Sequence, residues 1–329
     1  GNPLAIELAA AWVRTLACDE IATEIERGLD FLSVSARDLP ARHRSMRAVF
    51  DHSWKLLPEK EQGVLFQLSV FRGGFRREAA DAVAGATLAT LSTLVTKSLV
   101  RRSGAGRYDL HEMIRQFTAE QFTERPEEQK ATLERHGNYY LTFFSRADGR
   151  LRSSAQREAL AELTAEMDNF RAAWDWAITN HDTARTRQVS ATIWYLFELR
   201  SWFEEGETIF RNAAETIQLH IMEIEPGDDM LTAVNGMRAH SAYFSLRLGK
   251  STAAHVALIS CTAQLQDSTD QFAGMCSLWY LGLVSWMLGK SEEVHGSLQA
   301  GLEKARALGE RWYETMVGQF IGIIALDKK

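Results

Sequence analysis

Proline is scarce: five in 329 residues, so long helices meet few breakers. Cysteine is scarcer still. Cys18, Cys261 and Cys276 cannot build a disulfide framework and form no CxxC pair. A reducing compartment, the cytoplasm, is therefore expected. No apolar run is long enough for a bilayer. The longest extends over 14 residues, from Met275 to Leu288, and carries serine and glycine. It reads as a buried helix, so no membrane partner is expected. No signal-peptide pattern precedes it. Nor is there an excess of positive charge, since 37 Lys+Arg against 43 Asp+Glu leave −6, which gives no global case for nucleic-acid binding. Catalytic signatures are missing too: there is no GxxxxGK[ST], HExxH or GxSxG and no metal-spaced Cys/His set. His43 and His52 stand apart with nothing to suggest a shared ligand. The stretch is expected not to be an enzyme and to hold no cofactor of its own.

What is present fits a soluble chain of two or three domains, 46% apolar and 24% charged. It starts on glycine and stops inside an apolar helical pattern, so it is expected to be an excised fragment. Charge is uneven. Residues 1–125 hold 17 basic and 16 acidic residues, and the rest hold 20 and 27. Residues 40–107 alone hold 12 basic and 5 acidic, a basic module inside an acidic protein.

Helical spacing opens the chain, with Leu4, Leu8, Trp12 and Leu16 every fourth residue after the Asn2-Pro3 start. Asp19 is expected to cap a second helix that stops at Gly28. A helix over 46–57 breaks at Pro58, which starts the next. Gly73-Gly74 reads as a turn, and residues 75–83 and 88–96 as short helices. The period then changes. Residues 98–102 and 107–110 read as two strands around Ser103-Gly104-Ala105-Gly106, followed by a helix through Met113, Ile114, Phe117 and Phe122. Helices, one hairpin and a closing helix describe a winged helix.

Beyond Pro126 the pattern is helical to the end, and it repeats. Leu248-Gly249-Lys250-Ser251 recurs as Leu288-Gly289-Lys290-Ser291, 40 residues on. Ala242 and Gly282 lie seven residues before the turn glycines, Ala254 and Val294 five after, Cys261 and Gly301 twelve after. An earlier, degenerate unit has Ser201, Gly206 and Ala213 at matching offsets, and Gly322 opens a further one. Small residues at such offsets let antiparallel helices approach closely. This is tetratricopeptide-like spacing, and it predicts an interaction scaffold without chemistry. Repeat position predicts that Tyr195, Tyr243, Trp279, Leu283 and Trp286 face a concave groove for a peptide, protein or small apolar ligand. The plainer reading is that aromatic residues, with seven of nine tryptophans after residue 170, fill helix interfaces.

The ordered set of motifs resembles the STAND signalling ATPases, the class that includes NB-ARC proteins and bacterial LuxR-type and maltose-activator-type regulators. Gly1-Asn2-Pro3-Leu4 is similar to their GxP motif. Arg42-His43-Arg44-Ser45-Met46-Arg47, Trp54, Phe71-Arg72-Gly73-Gly74-Phe75 and Leu94-Val95-Thr96-Lys97-Ser98-Leu99 resemble their winged helix. Leu110-His111-Glu112 resembles their MHD motif, with Glu for the usual Asp and Leu for the usual Met. Residues 166–173 resemble the segment leading to a bacterial sensor. The resemblance implies a mainly α chain in four parts: 1–38, the end of the ATPase helical domain; 39–125, a winged helix; 126–200, a helical linker; and 201–329, truncated tetratricopeptide-like repeats of an α-solenoid. It implies that Pro3 packs near adenine and that His111 reaches the ADP β-phosphate, in an intact parent that is an ATPase using ADP/ATP with Mg. The phosphate loop and Mg-binding acid would lie in an upstream nucleotide-binding domain of the same chain, and an unknown inducer would occupy the repeat groove. The resemblance also allows for oligomerisation of the active parent. Without it, a histidine where a strand becomes a helix is more often a cap than a ligand.

The basic winged helix also raises a DNA reading. Its recognition helix would span 87–97, where Lys97 is the only charge, whereas base-edge readout needs Arg, Lys, Asn or Gln. The composition argues against direct DNA binding by this module. The expectation is a regulatory and sensor portion. The alternatives are a stand-alone tetratricopeptide adaptor and, behind it, a DNA-binding winged-helix regulator.

Overall fold

The computed structural model describes residues 9–10, 13, 16–27, 54, 56–224 and 227–327. Pro3, most of the helices expected over 4–16 and 46–57, Gly28 and the arginine-rich stretch 42–47 lie outside the described residues. The chain forms two compact units, Gly1–Tyr139 and Tyr140–Lys329. It is mainly α: a winged-helix module, then stacked antiparallel helices in tetratricopeptide-like pairs.

In the first unit, α1 (Cys18–Arg27) begins one residue before the expected cap. Asp19 sits inside its first turn, and the Ala17 N–H is taken by the Glu20 carboxylate at 2.8 Å. Glu20 reaches back over one turn to take that donor. Pro58 precedes α2 (Glu59–Leu68), where its missing N–H costs nothing and its carbonyl accepts from Glu61 and Gln62. Phe66 of α2 stacks on Phe122 at 5.6 Å and meets Trp54 at 4.5 Å, which centres the module's core.

The segment 75–83, expected as helix, starts instead with a short strand. β1 (Phe75–Arg76) precedes α3 (Arg77–Ala84). Gly73 and Gly74, at φ +68° and +81°, reverse the chain before it. A Cβ on Gly74 would stand 2.8 Å from the Tyr108 carbonyl oxygen, so the glycine is required for the strand to approach its neighbour. Gly85 closes α3 in the left-handed conformation, and the Thr87 hydroxyl caps α4 (Leu88–Thr96) by accepting from the Thr90 N–H at 3.2 Å. β2 (Arg101–Arg102), a 3-10 turn over Gly104–Gly106 and β3 (Arg107–Asp109) form the wing, shorter than the sequence pattern suggests. The sheet order is β1-β3-β2, all antiparallel, with Phe75 opposite Tyr108 and Arg102 opposite Tyr108 on the other edge. The third strand escaped the sequence pattern because two residues give no period. α5 (Glu112–Phe122) follows directly.

α6 (Pro126–Arg146) contains the boundary between the units. The second unit continues with α7 (Asp148–Leu151), α8 (Gln156–Ala165) and α9 (Met167–Thr179). Paired helices follow: α10 (Thr183–Arg200) with α11 (Phe203–Ile221), α12 (Asp228–Arg247) with α13 (Ser251–Leu265), and α14 (Gln271–Met287) with α15 (Ser291–Leu308). α16 (Arg311–Asp327) comes last. Ser201, Gly249 and Gly289 make the turns within the pairs at φ +57°, +81° and +72°. The expected small-residue contacts are in place. At Gly206 of α11 a Cβ would stand 2.7 Å from the Phe244 ring of α12, and at Gly282 of α14 it would stand 2.4 Å from Leu298 of α15.

No single described helix is long and apolar enough to cross a membrane; α3 and α4 pass by length and composition only as a pair bent by 105°.

The Gly206 contact predicts a substitution result that opposes helix propensity. Gly206→Ala gains roughly 1 kcal/mol of propensity. It also forces the fully buried Phe244 ring to move, which costs about 1–3 kcal/mol. A net loss in urea unfolding is expected. Gly296→Ala, at an exposed α15 site with nothing within 4 Å of the new Cβ, should instead stabilise by about 0.5–1 kcal/mol.

Candidate functional site

Among the described residues, polar chemistry gathers at one junction of the winged helix and around one cleft of the second unit. In the winged helix, the β3-to-α5 junction presents His111. It occupies the N-cap of α5 at φ −58°, ψ 135°, and its Nδ1 accepts from the Met113 N–H at 3.3 Å. That bond requires an unprotonated Nδ1 and puts the ring proton on Nε2. Partial burial and the nearby Arg101 charge hold the imidazole below its ordinary pKa, against the opposing pull of Asp109 and Glu112. His111 is thus a neutral imidazole near pH 7 with one N–H to donate. The cap reading and the ligand reading are compatible, since each uses a different nitrogen.

Around it the charges are paired closely. Arg115 grips Glu112 through both ends of its guanidinium, with Nε to Oε2 at 2.7 Å. Arg101 reaches Asp109 at 3.0 Å, and Arg107 donates to the carbonyls of Gly73 and Gly74 at 3.3 and 3.2 Å. The outer face of α4 presents Leu88, Ala89, Ser92 and Thr96. Lys97, beyond its end, is bonded to Glu61 at 2.8 Å. That face offers no side chain suited to base edges.

In the second unit, a cleft of about 620 Å³ lies between α7, α10, the start of α14 and the end of α15. Asp148, Arg187, Thr192, Asp270 and Phe272 are among its walls. Asp270 caps α14 by accepting from the Ala273 N–H at 2.9 Å and lies 3.5 Å from Arg187, which also reaches Asp229 at 2.9 Å. Asp148 is bound by both ends of Arg152, each at 3.0 Å. Arg152 lies 4.7, 4.4 and 5.1 Å from the ring centres of Tyr195, Trp312 and Tyr313, a cation held in an aromatic cage.

The five groove candidates do not share one surface, and none lines this cleft. Tyr195 belongs to the Arg152 cage, and its hydroxyl accepts from Gln156 Nε2 at 3.1 Å. Tyr243 is buried, 5.1 Å from the Trp194 ring and 4.7 Å from Tyr280. Trp279 is buried against Phe320, Leu283 is half-buried, and Trp286 is partly exposed with its ring also 5.3 Å from Phe320. Cys261 is buried, and that burial pushes its thiol up to about 11, as expected of inert core. Sequence reasoning missed Arg152 and Arg187. No motif marks them, because the aromatic rings around Arg152 and the carboxylates of Arg187 come from distant helices. Among the described residues no three His, Cys, Asp or Glu side chains gather as for a metal.

No family model matches the chain. It is 31% identical over 234 residues to a protein of Mycobacterium tuberculosis (strain H37Rv) and to one of Mycobacterium bovis, both provisionally named HTH-type transcriptional regulators. The match covers 68% of this chain and 26% of each relative, so the chain spans about a quarter of their length. An uncharacterised Mycobacterium tuberculosis protein is 32% identical over 138 residues, 39% of this chain and 35% of that one. Among solved structures, a Signal Transduction ATPase with Numerous Domains (STAND) protein with a tetratricopeptide repeat sensor, from Pyrococcus horikoshii, aligns over 95% of this chain and 55% of that one, at 17% identity and a TM-score of 0.32. That score is too low for the likeness to bear on fold or function.

The buried His240 gives the second unit a pH signature. Its Nδ1 lies 3.1 Å from the Tyr280 hydroxyl, and burial pushes its pKa down to about 3. An unfolded histidine titrates near 6.5, so between these values only the unfolded chain takes up the proton. The stability is fully present above pH 6.5 and is lost on acidification, by about 1.4 kcal/mol per pH unit. Unfolding measured between pH 6.5 and 4.5 should show this slope, and His240→Gln should flatten it by about that amount.

Proposed function

We propose that this chain is the regulatory and sensor portion of a STAND-type signalling ATPase. The winged helix helps hold ADP in the off state, and the second unit receives an inducer. The observation that carries the reading is the pairing of a neutral, donor-competent His111 at the start of α5 with a repeat unit that carries an open cleft. The similarity to proteins named as transcriptional regulators supports an output in transcription. On this reading the nucleotide sits mainly on a domain of the same parent, cytoplasmic, with ADP or ATP and Mg supplied there. From this chain, Pro3 would pack near adenine and the His111 Nε2–H would donate to a phosphate oxygen. The winged helix adds no DNA contact, and catalysis belongs to the parent.

Inducer binding can shift the equilibrium only as far as its affinity for the open state exceeds that for the closed one. Both ends of the switch can be read in the intact parent. His111→Ala should speed ADP release about tenfold or more and raise basal activity, as the loss of one hydrogen bond to a charged group implies. Unaltered ADP release and basal activity would remove His111 from the lock.

A further inference from the structure

We propose that the exposed face of α13 docks a basic amphipathic helix of a protein partner. Its seam is Thr252, Val256, Ile259 and Ala263, spaced i, i+4, i+7 and i+11 along one side of the helix and all exposed. Val256 is 66% exposed and Ile259 47%. None of the four lines the cleft of the same unit. The buried side of α13 is a different set, Ala254, His255, Leu258, Cys261 and Leu265.

The repeat supplies its own comparison. Counted from the turn residues Ser201, Gly249 and Gly289, the seam takes the third, seventh, tenth and fourteenth places. In α11 the same places hold Glu204, Thr208, Arg211 and Glu215. In α15 they hold Glu292, Gly296, Gln299 and Glu303. Every one of these is exposed as well. Packing of the repeat therefore does not call for apolar residues there, since two sister helices do without them. α13 goes further and contains no Asp, Glu, Lys or Arg at all. An apolar stripe kept where the fold does not use it marks a contact surface.

Charge decides the occupant. α11 and α13 both pack on α12, and α13 meets α15 where the His255 Nε2 lies 2.6 Å from Glu293. The sister helices thus border the uncharged one in the stack. At the matched places they bring four carboxylates against the single guanidinium of Arg211. That guanidinium is already shared between Glu207 at 3.2 Å and Glu215 at 3.6 Å. An apolar seam with acidic borders fits a helix that carries Leu-like residues along one face and Lys or Arg on both sides of it. The same borders oppose a second copy, because either twofold pairing of α13 on α13 sets carboxylates against carboxylates. They equally oppose an anionic membrane surface. The proposal concerns a surface apart from the cleft and does not rest on the nucleotide or inducer reading.

The probes are three labelled helix-forming peptides, titrated against the 329-residue chain by fluorescence anisotropy. The first has a leucine seam at i, i+4, i+7 and i+11 with lysine flanks. The second has the same seam with glutamate flanks, and the third has lysine flanks with the leucines moved off one face. Saturable one-to-one binding of the first alone is expected, weakened by added salt. Val256→Ser with Ile259→Ser should weaken it about tenfold or more, as loss of two apolar contacts implies. The urea midpoint of that variant should not move, because both side chains are exposed. Glu292→Lys with Glu303→Lys should shift the preference to the glutamate-flanked peptide, a gain that no misfolded variant can produce. Absence of saturable binding, or binding indifferent to either double substitution, overturns the proposal. Light scattering should find the chain alone monomeric, and vesicles of phosphatidylglycerol and phosphatidylcholine should not bind it through this face. A dimer, or vesicle binding, that the serine pair abolishes assigns the seam to a second copy or to lipid and likewise overturns it.

Discussion

Close approach of helices at positions without a side chain governs the second unit. Dispersion between packed atoms falls steeply with distance, so a gap of one methyl group forfeits much of the attraction. Gly206 lets the Phe244 ring lie against its backbone, and Gly282 lets Leu298 do the same. Those contacts draw neighbouring helices together until the aromatic rings between them meet. Trp194 then touches Tyr195, Tyr243, Tyr280, Trp312 and Tyr313 within one cluster. Two polar groups packed against that cluster have partners there. His240 takes the Tyr280 hydroxyl, and Arg152 takes Asp148 and three aromatic faces. The neutrality of His240 and the confinement of Arg152 both follow from the density that the glycines allow.

The first unit is organised by charge as much as by packing. Its aromatic core, from Trp54 through Phe66 to Phe122, supports a small sheet whose edges carry arginine. The β1 strand matters because it brings the Gly73-Gly74 turn against Tyr108 and so sets Arg72 beside the start of α5. A histidine cap, a gripped glutamate and several guanidiniums then share a short stretch of surface. In such a place the state of each group depends on its neighbours: Arg101 disfavours a charged His111, while Arg115 favours a charged Glu112.

Much of the fold was legible because the signals were local or periodic. The α4 bounds match the expected helix, since Thr87 caps it and its apolar spacing is regular. The turns at Gly249 and Gly289 adopt the left-handed conformation that their repeated position implied. Misreadings arose where the deciding partner was elsewhere. Phe75 and Arg76 look like the start of a helix until β3 is available to pair with them. Asp19 looks like a cap until Glu20 reaches the same end of the helix. Tyr243 and Trp279 occupy repeat positions that suggest a groove, but neighbouring rings bury them, and the groove candidates divide between two clusters.

The sequence by itself determined the helical period, the repeat of small residues, the turn glycines and the place of His111 between a strand and a helix. Each of these depends on residues within about one turn or one repeat of each other. Only the tertiary structure decided which histidine nitrogen is engaged, that Arg152 is caged by residues from helices over 40 positions away, and that the charges of two arginines 43 residues apart, Arg72 and Arg115, both favour the Glu112 carboxylate. Those outcomes depend on distance and burial between segments that no local pattern relates.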